Sequence, residues 1–322
     1  MLAKHIKKKI AERISPQRVV LTSFAVNFLD IALGLGVAVV TGSVVMIAQA
    51  LQGVADLFAS SFVIIGLTQS RRPPDETHPF GYGREIYFWT LLAGFLMITV
   101  TAGLSIYFGW QRVQGPEPIT NLPLALGVLL LGMLTNGYSL SLSLRRMLGH
   151  HPVRQLFHAF YQSPLVEAKT TFVLDLMGSV AAVLGFLSLL AFGATGNGFF
   201  DGIGAILIGI AVAVLAGFLL IGLRALVIGK SAVPKIEDQI REAALTVPEV
   251  TDVLRLRTMH GGIGKLFIHL DVHVKHGLRT EQIERIIDEI KRNIREEVPI
   301  AETVQVELET PKKELQHVRS RA

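Results

Sequence analysis

Residues 44–67 read VVMIAQALQGVADLFASSFVIIGL, an apolar segment that carries one ionisable side chain, Asp56. A helix needs about 20 such residues to cross a bilayer, so this segment is long enough to span a membrane. An aspartate at membrane depth costs on the order of 2.5–3.5 kcal/mol on insertion scales, and such acids usually face a cavity on an ion or proton path. Asp175 repeats the pattern in the apolar segment 172–192. We therefore expect the functional site to lie inside the membrane.

The composition of the whole chain is that of a membrane protein. Of 322 residues, 50% are hydrophobic and 18% are charged, and the mean hydropathy is +0.48; soluble domains rarely combine these values. Cysteine is absent, which excludes disulfides, thiolate catalysis and cysteine-based metal sites, and leaves His, Asp and Glu as the strong metal ligands. The basic residues flank the apolar segments, so we expect contact with membrane lipid and no binding of nucleic acid.

Six segments are long enough to span the membrane. They are 19–40, 44–67, 86–110, 122–144, 165–192 and 199–228. Lys and Arg concentrate before the first span, between the second and third, and between the fourth and fifth, whereas the opposite connections contain one basic residue, Arg112. The positive-inside rule then places both termini in the cytoplasm of a multi-pass protein of the cell membrane.

A soluble domain is predicted after the sixth span. The pattern indicates a helix at 235–247, strands at 252–258 and 264–274, a helix at 280–297 and a strand at 303–309. This αββαβ order is typical of a ferredoxin-like α+β domain with its helices on one face of the sheet. We thus divide the chain into a basic N-terminus 1–18, a transmembrane domain 19–229 with six helices, a cytoplasmic domain 230–311 and a disordered tail 312–322.

Two pairs of polar side chains inside the spans have the same spacing. Gln52 and Asp56 are four residues apart, as are Thr171 and Asp175, so each pair lies on one helix face. If the two helices face each other, the four side chains form an oxygen site that suits a divalent cation. Protonation of the aspartates would compete with the metal. Alternatively, Gln52 and Thr171 only form hydrogen bonds between packed helices.

Asp30 on the first span is a further candidate ligand, because a helical bundle could bring it towards the same cavity. Its alternative role is that of a hydrated acid near the membrane surface.

These features resemble the cation diffusion facilitator family of divalent metal transporters, of which this chain would be a divergent member. The likeness covers the six spans, the αββαβ domain, the turn TGS at 41–43 and the loop DETHPFGYGRE at 75–85. In that family the transport site has two ligands on the second span and two on the fifth, which here correspond to Gln52, Asp56, Thr171 and Asp175. Zinc-transporting relatives typically have His or Asp in place of this Gln, and His in place of this Thr. The missing imidazole favours Mn²⁺ or Fe²⁺, a zinc site completed elsewhere, or impaired transport.

The resemblance also implies a homodimer and further metal sites. Asp75 and His78 match a metal site in the loop of some relatives; alternatively, the prolines and glycines there shape a tight turn. In the soluble domain, which would serve regulation and dimerisation, His269, Glu307 and Glu309 match positions of regulatory metal. His260 and His273 are further candidates for this site. The alternative for these strand residues is a solvated sheet face.

The sequence therefore predicts an efflux transporter for Zn²⁺, Mn²⁺ or Fe²⁺ that exchanges metal for protons by alternating access. We expect no catalytic cofactor and no enzymatic activity. A transport-impaired metal sensor or assembly scaffold is the first alternative. An intramembrane hydrolase with paired aspartates is the second.

Overall fold

The computed structural model describes residues 31–148 and 166–311, together with positions 28, 152, 154 and 156. The predicted N-terminus 1–18, the tail 312–322 and Asp30 lie outside the described residues, as does most of the beginning of the first span.

The membrane part of the chain consists of long apolar helices. They are α1 (Ile31–Thr41), α2 (Val44–Ser70), α3 (Glu85–Gln114), α4 (Leu122–Leu148), α5 (Val166–Thr195) and α6 (Phe199–Ile228). In the described part, five helices, α2 to α6, are long and apolar enough to cross a membrane. The shorter α1 is the described portion of the first predicted span. The predicted transmembrane helical architecture is confirmed, with five complete spans and part of a sixth.

Glycines let α3 and α6 approach closely. A Cβ atom on Gly109 would meet the carbonyl oxygen of Gly202 at 2.7 Å, and one on Gly209 would meet the carbonyl oxygen of Ala102 at 2.9 Å. Small residues are the usual means by which membrane helices bring their backbones together. The middle of α3, Met97–Ala102, forms a π-helical turn that the sequence did not predict. In this turn the Thr101 hydroxyl donates a 3.3 Å hydrogen bond to the Leu51 carbonyl of α2.

The soluble domain has the predicted αββαβ order. Its elements are α7 (Pro234–Leu245), β1 (Val250–Gly262), β2 (Lys265–Val274), α8 (Thr280–Glu297) and β3 (Ala301–Leu308). The sheet order is β1-β2-β3, with β2 antiparallel to β1 and parallel to β3. Alternate β2 residues such as Leu270 are buried with Ile240 of α7 and Ile290 of α8. Both helices therefore cover one sheet face, and the intervening β2 residues face the other.

The loop before α3 belongs to the same compact unit as the soluble domain, because that unit includes Ile65–Phe88 and the chain from Gly222 onward. The rings of Phe80 and Phe267 lie 5.4 Å apart. Gly83 packs directly on Gly261 in the β1–β2 turn, where a Cβ atom would collide with backbone. The glycine-rich sequence of this loop is thus explained by its close backbone contact with the β1–β2 hairpin.

Candidate metal centres

Asp56 lies at the centre of the membrane candidate site. On α2 the Gln52 amide nitrogen donates a 3.0 Å hydrogen bond to Asp56 Oδ1, so the two residues share a face as predicted. Gln52 is 2% exposed, and its Oε1 is buried without a hydrogen-bond partner among the described residues. An amide oxygen beside a carboxylate and without a donor of its own is a ready ligand for a hard or borderline cation.

Asp175 on α5 is close enough to Asp56 to act on it electrostatically. It is half-buried, and the charge of Arg146 on α4 acts on it. Thr171, one turn earlier, is exposed in the single chain. The structure thus pairs Asp56 with Gln52 and gives Asp175 an electrostatic influence on Asp56, while the roles of Asp175 and Thr171 as ligands stay predictions.

A cavity of about 170 Å³ opens beside Asp56. On α2 it is lined by Gln49, Gly53 and Asp56, which lie on one helix face because they are four and three residues apart. On α4 its lining includes Thr135 and Asn136. The Nε2 atom of Gln49 is buried without a hydrogen-bond partner among the described residues. These amides were missed at the sequence level, although an asparagine inside an apolar span is the same kind of signal that identified Asp56.

Asn136 also determines how α4 meets α5. Its Nδ2 donates a 2.9 Å hydrogen bond to the Gly132 carbonyl, and its Oδ1 lies so near Gly178 that a Cβ atom there would approach to 2.5 Å. Because Gly178 follows Asp175 by three residues, this contact positions the α5 face that carries the carboxylate.

Asp201 on α6 is a fully buried carboxylate that was not predicted. It is 0% exposed and accepts hydrogen bonds from Ser43 Oγ at 2.7 Å, from the Val44 nitrogen at 2.8 Å and from the Val45 nitrogen at 3.0 Å. The Arg112 guanidinium lies 3.4 Å from its other side. A carboxylate at the start of α2 satisfies orphan backbone N–H groups and the positive end of the helix dipole. Asp201 is therefore a helix cap supplied by another helix.

In the loop, the oxygens of Asp75 are already occupied. Oδ1 accepts from the backbone nitrogens of Thr77 at 3.0 Å and His78 at 2.7 Å, and Oδ2 accepts from the Tyr82 hydroxyl at 2.6 Å. The hydroxyl donors, Tyr82 first and then Thr77, lower the pKa of Asp75 well below its ordinary value. His78 Nδ1 stands 3.8 Å from Asp75 Oδ1. This geometry favours the tight-turn explanation over a metal site at Asp75 and His78.

The soluble domain carries a cluster of three potential ligands on the open face of its sheet. His269 Nε2 lies 2.9 Å from Asp271 Oδ1 and 3.3 Å from Glu307 Oε2, and the three ligand atoms all lie within 4.8 Å of one another. The parallel register pairs Asp271 with Glu307. His269 and Glu307 were predicted, whereas Asp271 was not. Arg255 lies 3.6 Å from Asp271 and partly balances its charge.

Two other predicted residues do not join this cluster. Glu309 lies beyond β3, where its backbone nitrogen donates a 3.0 Å hydrogen bond to the Val272 carbonyl. His260 is buried near the β1–β2 turn, with its backbone nitrogen bonded to the Lys230 carbonyl at 3.1 Å.

Comparison with known proteins gives matches over both parts of the chain. Residues 20–223 match the cation efflux transmembrane domain, and residues 233–310 match the cytoplasmic domain of cation efflux proteins. The chain is 26% identical over 287 residues to a mitochondrial proton-coupled zinc antiporter of Xenopus laevis, covering 86% of this chain and 51% of that protein.

Two further relatives are named for metal handling. Over 231 residues the chain is 29% identical to metal tolerance protein C4 of Arabidopsis thaliana, covering 71% of this chain and 50% of that protein. Over 88 residues it is 36% identical to the manganese efflux system protein MneS of Bacillus subtilis, covering 27% of this chain and 30% of that protein. The chain spans about half the length of the antiporter and of the metal tolerance protein.

Proposed function

The chain belongs to the cation efflux family, and from that membership we propose that it carries a divalent metal cation across a membrane in exchange for protons. The observation that supports this most directly is the setting of Asp56 on α2, where it accepts a hydrogen bond from Gln52 and lines a cavity, inside helices that match the family's transmembrane domain. It is a multi-pass integral membrane protein. Both termini would face the cytoplasm, as the distribution of basic residues indicates.

The cation would bind between α2 and α5. Asp56 and Asp175 supply negative charge, the free Oε1 of Gln52 supplies a neutral oxygen, and Thr171 would join them in the occupied state. Because protons and metal compete for the same carboxylate oxygens, protonation from the far side of the membrane would release the cation. This competition couples the two movements in an alternating-access homodimer.

The donor set is rich in oxygen, which suits Mn²⁺ or Fe²⁺ better than a zinc site with imidazole ligands. Relatives carry both zinc and manganese in their names, so zinc stays among the candidate substrates. Replacing Gln52 and Thr171 by His should raise the preference for zinc over manganese. An unchanged ion profile would count against this location of the site.

Uptake into proteoliposomes tests the proposal. Purified protein should accumulate Zn²⁺, Mn²⁺ or Fe²⁺ when a pH gradient is imposed, and Asp56→Asn should abolish accumulation. Glu302→Gln is the matched control, because it makes the same chemical change at an exposed carboxylate of the soluble domain that pairs with Lys265 at 2.9 Å. No accumulation of any of the three ions above empty vesicles would instead favour the sensor or scaffold role.

The soluble domain would regulate transport through the His269–Asp271–Glu307 cluster. Metal at this cluster would shift the population of dimer arrangements by its different affinity for each of them. His269→Gln should then change the metal concentration that activates transport while leaving the maximal rate intact.

A further inference from the structure

The cavity beside Asp56 extends along α2 towards the turn that joins α1 to α2. Its lining includes Gln49, Gly53 and Asp56 on one face of the helix. Seven residues of α-helix correspond to about 10 Å along the helix axis. The cavity therefore continues well past the carboxylate, on the side nearer the beginning of α2.

The face of α5 that carries Asp175 continues with residues that have little or no side chain. Gly178, Ala182 and Gly185 follow Asp175 at intervals of three, four and three residues, so all four residues share one helix face. Ala182 lines the cavity. This face of α5 therefore leaves space for side chains that project from α2 and α4.

An amide side chain lies against each of the two glycines. A Cβ atom on Gly185 would lie 3.3 Å from Gln49 Nε2, and a Cβ atom on Gly178 would approach Asn136 Oδ1 to 2.5 Å. Asn136 lines the cavity on α4, as Gln49 does on α2. The space left by α5 is thus occupied by polar groups, next to a path that begins at Asp56.

Gln49 lacks the partner that a buried amide requires. Its Nε2 atom is buried without a hydrogen-bond partner among the described residues. Native proteins satisfy nearly all such groups with protein atoms, water or a ligand. A cavity of about 170 Å³ has room for several water molecules. The amide is therefore completed by water or by the water shell of an ion.

We propose that Gln49 and Asn136 form a second, uncharged position for a hydrated divalent cation, between Asp56 and the turn that joins α1 to α2. This inference rests on the proposed transport function and adds a stage to it. Amide oxygens accept hydrogen bonds from the waters around a cation, and they carry no net charge that would trap it. A conducting path needs sites that bind strongly enough for entry and weakly enough for release. The cation thus leaves the carboxylates in two stages, with part of its water shell in place.

Equilibrium dialysis of the full-length protein in detergent against Mn²⁺ tests this position directly. Gln49→Glu adds a negative charge at the proposed position, so it should raise the number of Mn²⁺ ions bound at saturation by one per chain. Gln111→Glu is the matched control, because it makes the same chemical change at an exposed residue of α3 outside the cavity lining. It should leave the number of bound ions unchanged. The inference is overturned if Gln49→Glu binds no more Mn²⁺ than this control.

Uptake of Mn²⁺ into proteoliposomes by Gln49→Leu supplies a second measurement. This change removes the amide and keeps a side chain of similar size, so the maximal rate should fall at least fivefold. The half-saturating Mn²⁺ concentration should change less than twofold, since Asp56 and Asp175 are retained. Gln49→Asn keeps an amide and should recover at least half of the rate. Uptake by Gln49→Leu at the unmodified rate would overturn the inference.

The melting temperature separates this role from a structural one. Gln49→Leu removes a buried polar group without a described partner, so its melting temperature should equal or exceed that of the unmodified protein. A clear decrease would show that the amide supports packing and would overturn the inference. If the unmodified protein transports no ion, the proposed function fails and dialysis alone decides the second position. If it transports Mn²⁺ but Gln49→Glu binds no additional ion, this inference alone fails.

Discussion

Replacing Asp201 by Ala should destabilise the membrane domain strongly. The carboxylate is fully buried and accepts hydrogen bonds from Ser43 and from the Val44 and Val45 nitrogens, with Arg112 alongside. Each hydrogen bond to a charged group contributes about 1.5–3 kcal/mol, and truncating one partner of a buried ion pair costs about 3–5 kcal/mol. These contributions overlap, so we expect a total loss of about 3–5 kcal/mol.

In the Asp201→Ala variant the charge of Arg112 is still partly balanced by other contacts, which limits the loss of stability. Its guanidinium also lies 3.1 Å from Glu117 and donates to the Gly42 carbonyl. Asp201→Asn keeps one acceptor oxygen and removes the charge, so it should cost about half as much. At about 2–4 °C per kcal/mol for a domain of this size, Asp201→Ala should lower the melting temperature by roughly 6–20 °C.

Tryptophan fluorescence during heating of the detergent-solubilised protein measures this shift, and Trp110 lies two residues from Arg112 in sequence. A cycle with Arg112→Ala and the double variant isolates the coupling between the two charges. A shift below about 2 °C for Asp201→Ala would refute the assignment of this carboxylate as a helix cap. Equal melting temperatures for the Ala and Asn variants would refute the contribution of the acceptor oxygen that Asn retains.

Three further predictions concern other parts of the chain. Gly83→Ala should loosen the loop from the β1–β2 hairpin, because its Cβ atom would collide with Gly261; faster hydrogen exchange in 75–85 would show this, and unchanged exchange would contradict it. Since the Tyr82 hydroxyl and other donors lower the pKa of Asp75, its contribution to loop stability is present above about pH 4 and declines as pH falls further. Hydrogen exchange should therefore separate Asp75→Asn from the unmodified protein at pH 6 and bring the two together at low pH. Asn136→Leu should alter the ion selectivity of uptake, because it removes an amide from the cavity beside the α2 carboxylate; identical selectivity would exclude that role.

Sequence periodicity predicted the helices and strands because membrane spans and alternating strands carry strong local signals. The αββαβ order follows from residues close together in the chain. Asp201 was missed because its hydrogen-bond partners are separated from it by more than 150 residues. No sequence pattern around Asp201 or around residues 43–45 indicates that the two segments are in contact. Its position near the start of a span also resembles an ordinary acid at a membrane surface.

The metal-ligand cluster of the soluble domain was predicted only in part, again because long-range contacts determine it. A spacing of two residues on a strand implies one sheet face, and on that basis Glu307 and Glu309 were predicted to lie together. The register between β2 and β3 is a long-range property, and it places Glu307 beside Asp271 and His269. Glu309 instead lies beyond the end of β3, where its backbone carbonyl oxygen is 3.2 Å from His273 Nδ1. Spacing alone could not distinguish these two environments.

Asp201 and Asp56 differ in the number of hydrogen-bond donors that they receive from the described residues, and this difference separates a role in stability from a role in transport. Asp201 receives three hydrogen bonds and an arginine, so its charge is satisfied without any ligand. Among the described residues, Asp56 receives one hydrogen bond, from Gln52. It lines a cavity, and the negative charge of Asp175 acts on it. A carboxylate with unused lone pairs close to a second acid is poorly solvated until a cation or proton arrives. Asp56→Asn should consequently leave the melting temperature unchanged or raise it while abolishing transport, which is the opposite of the pattern expected for Asp201→Asn.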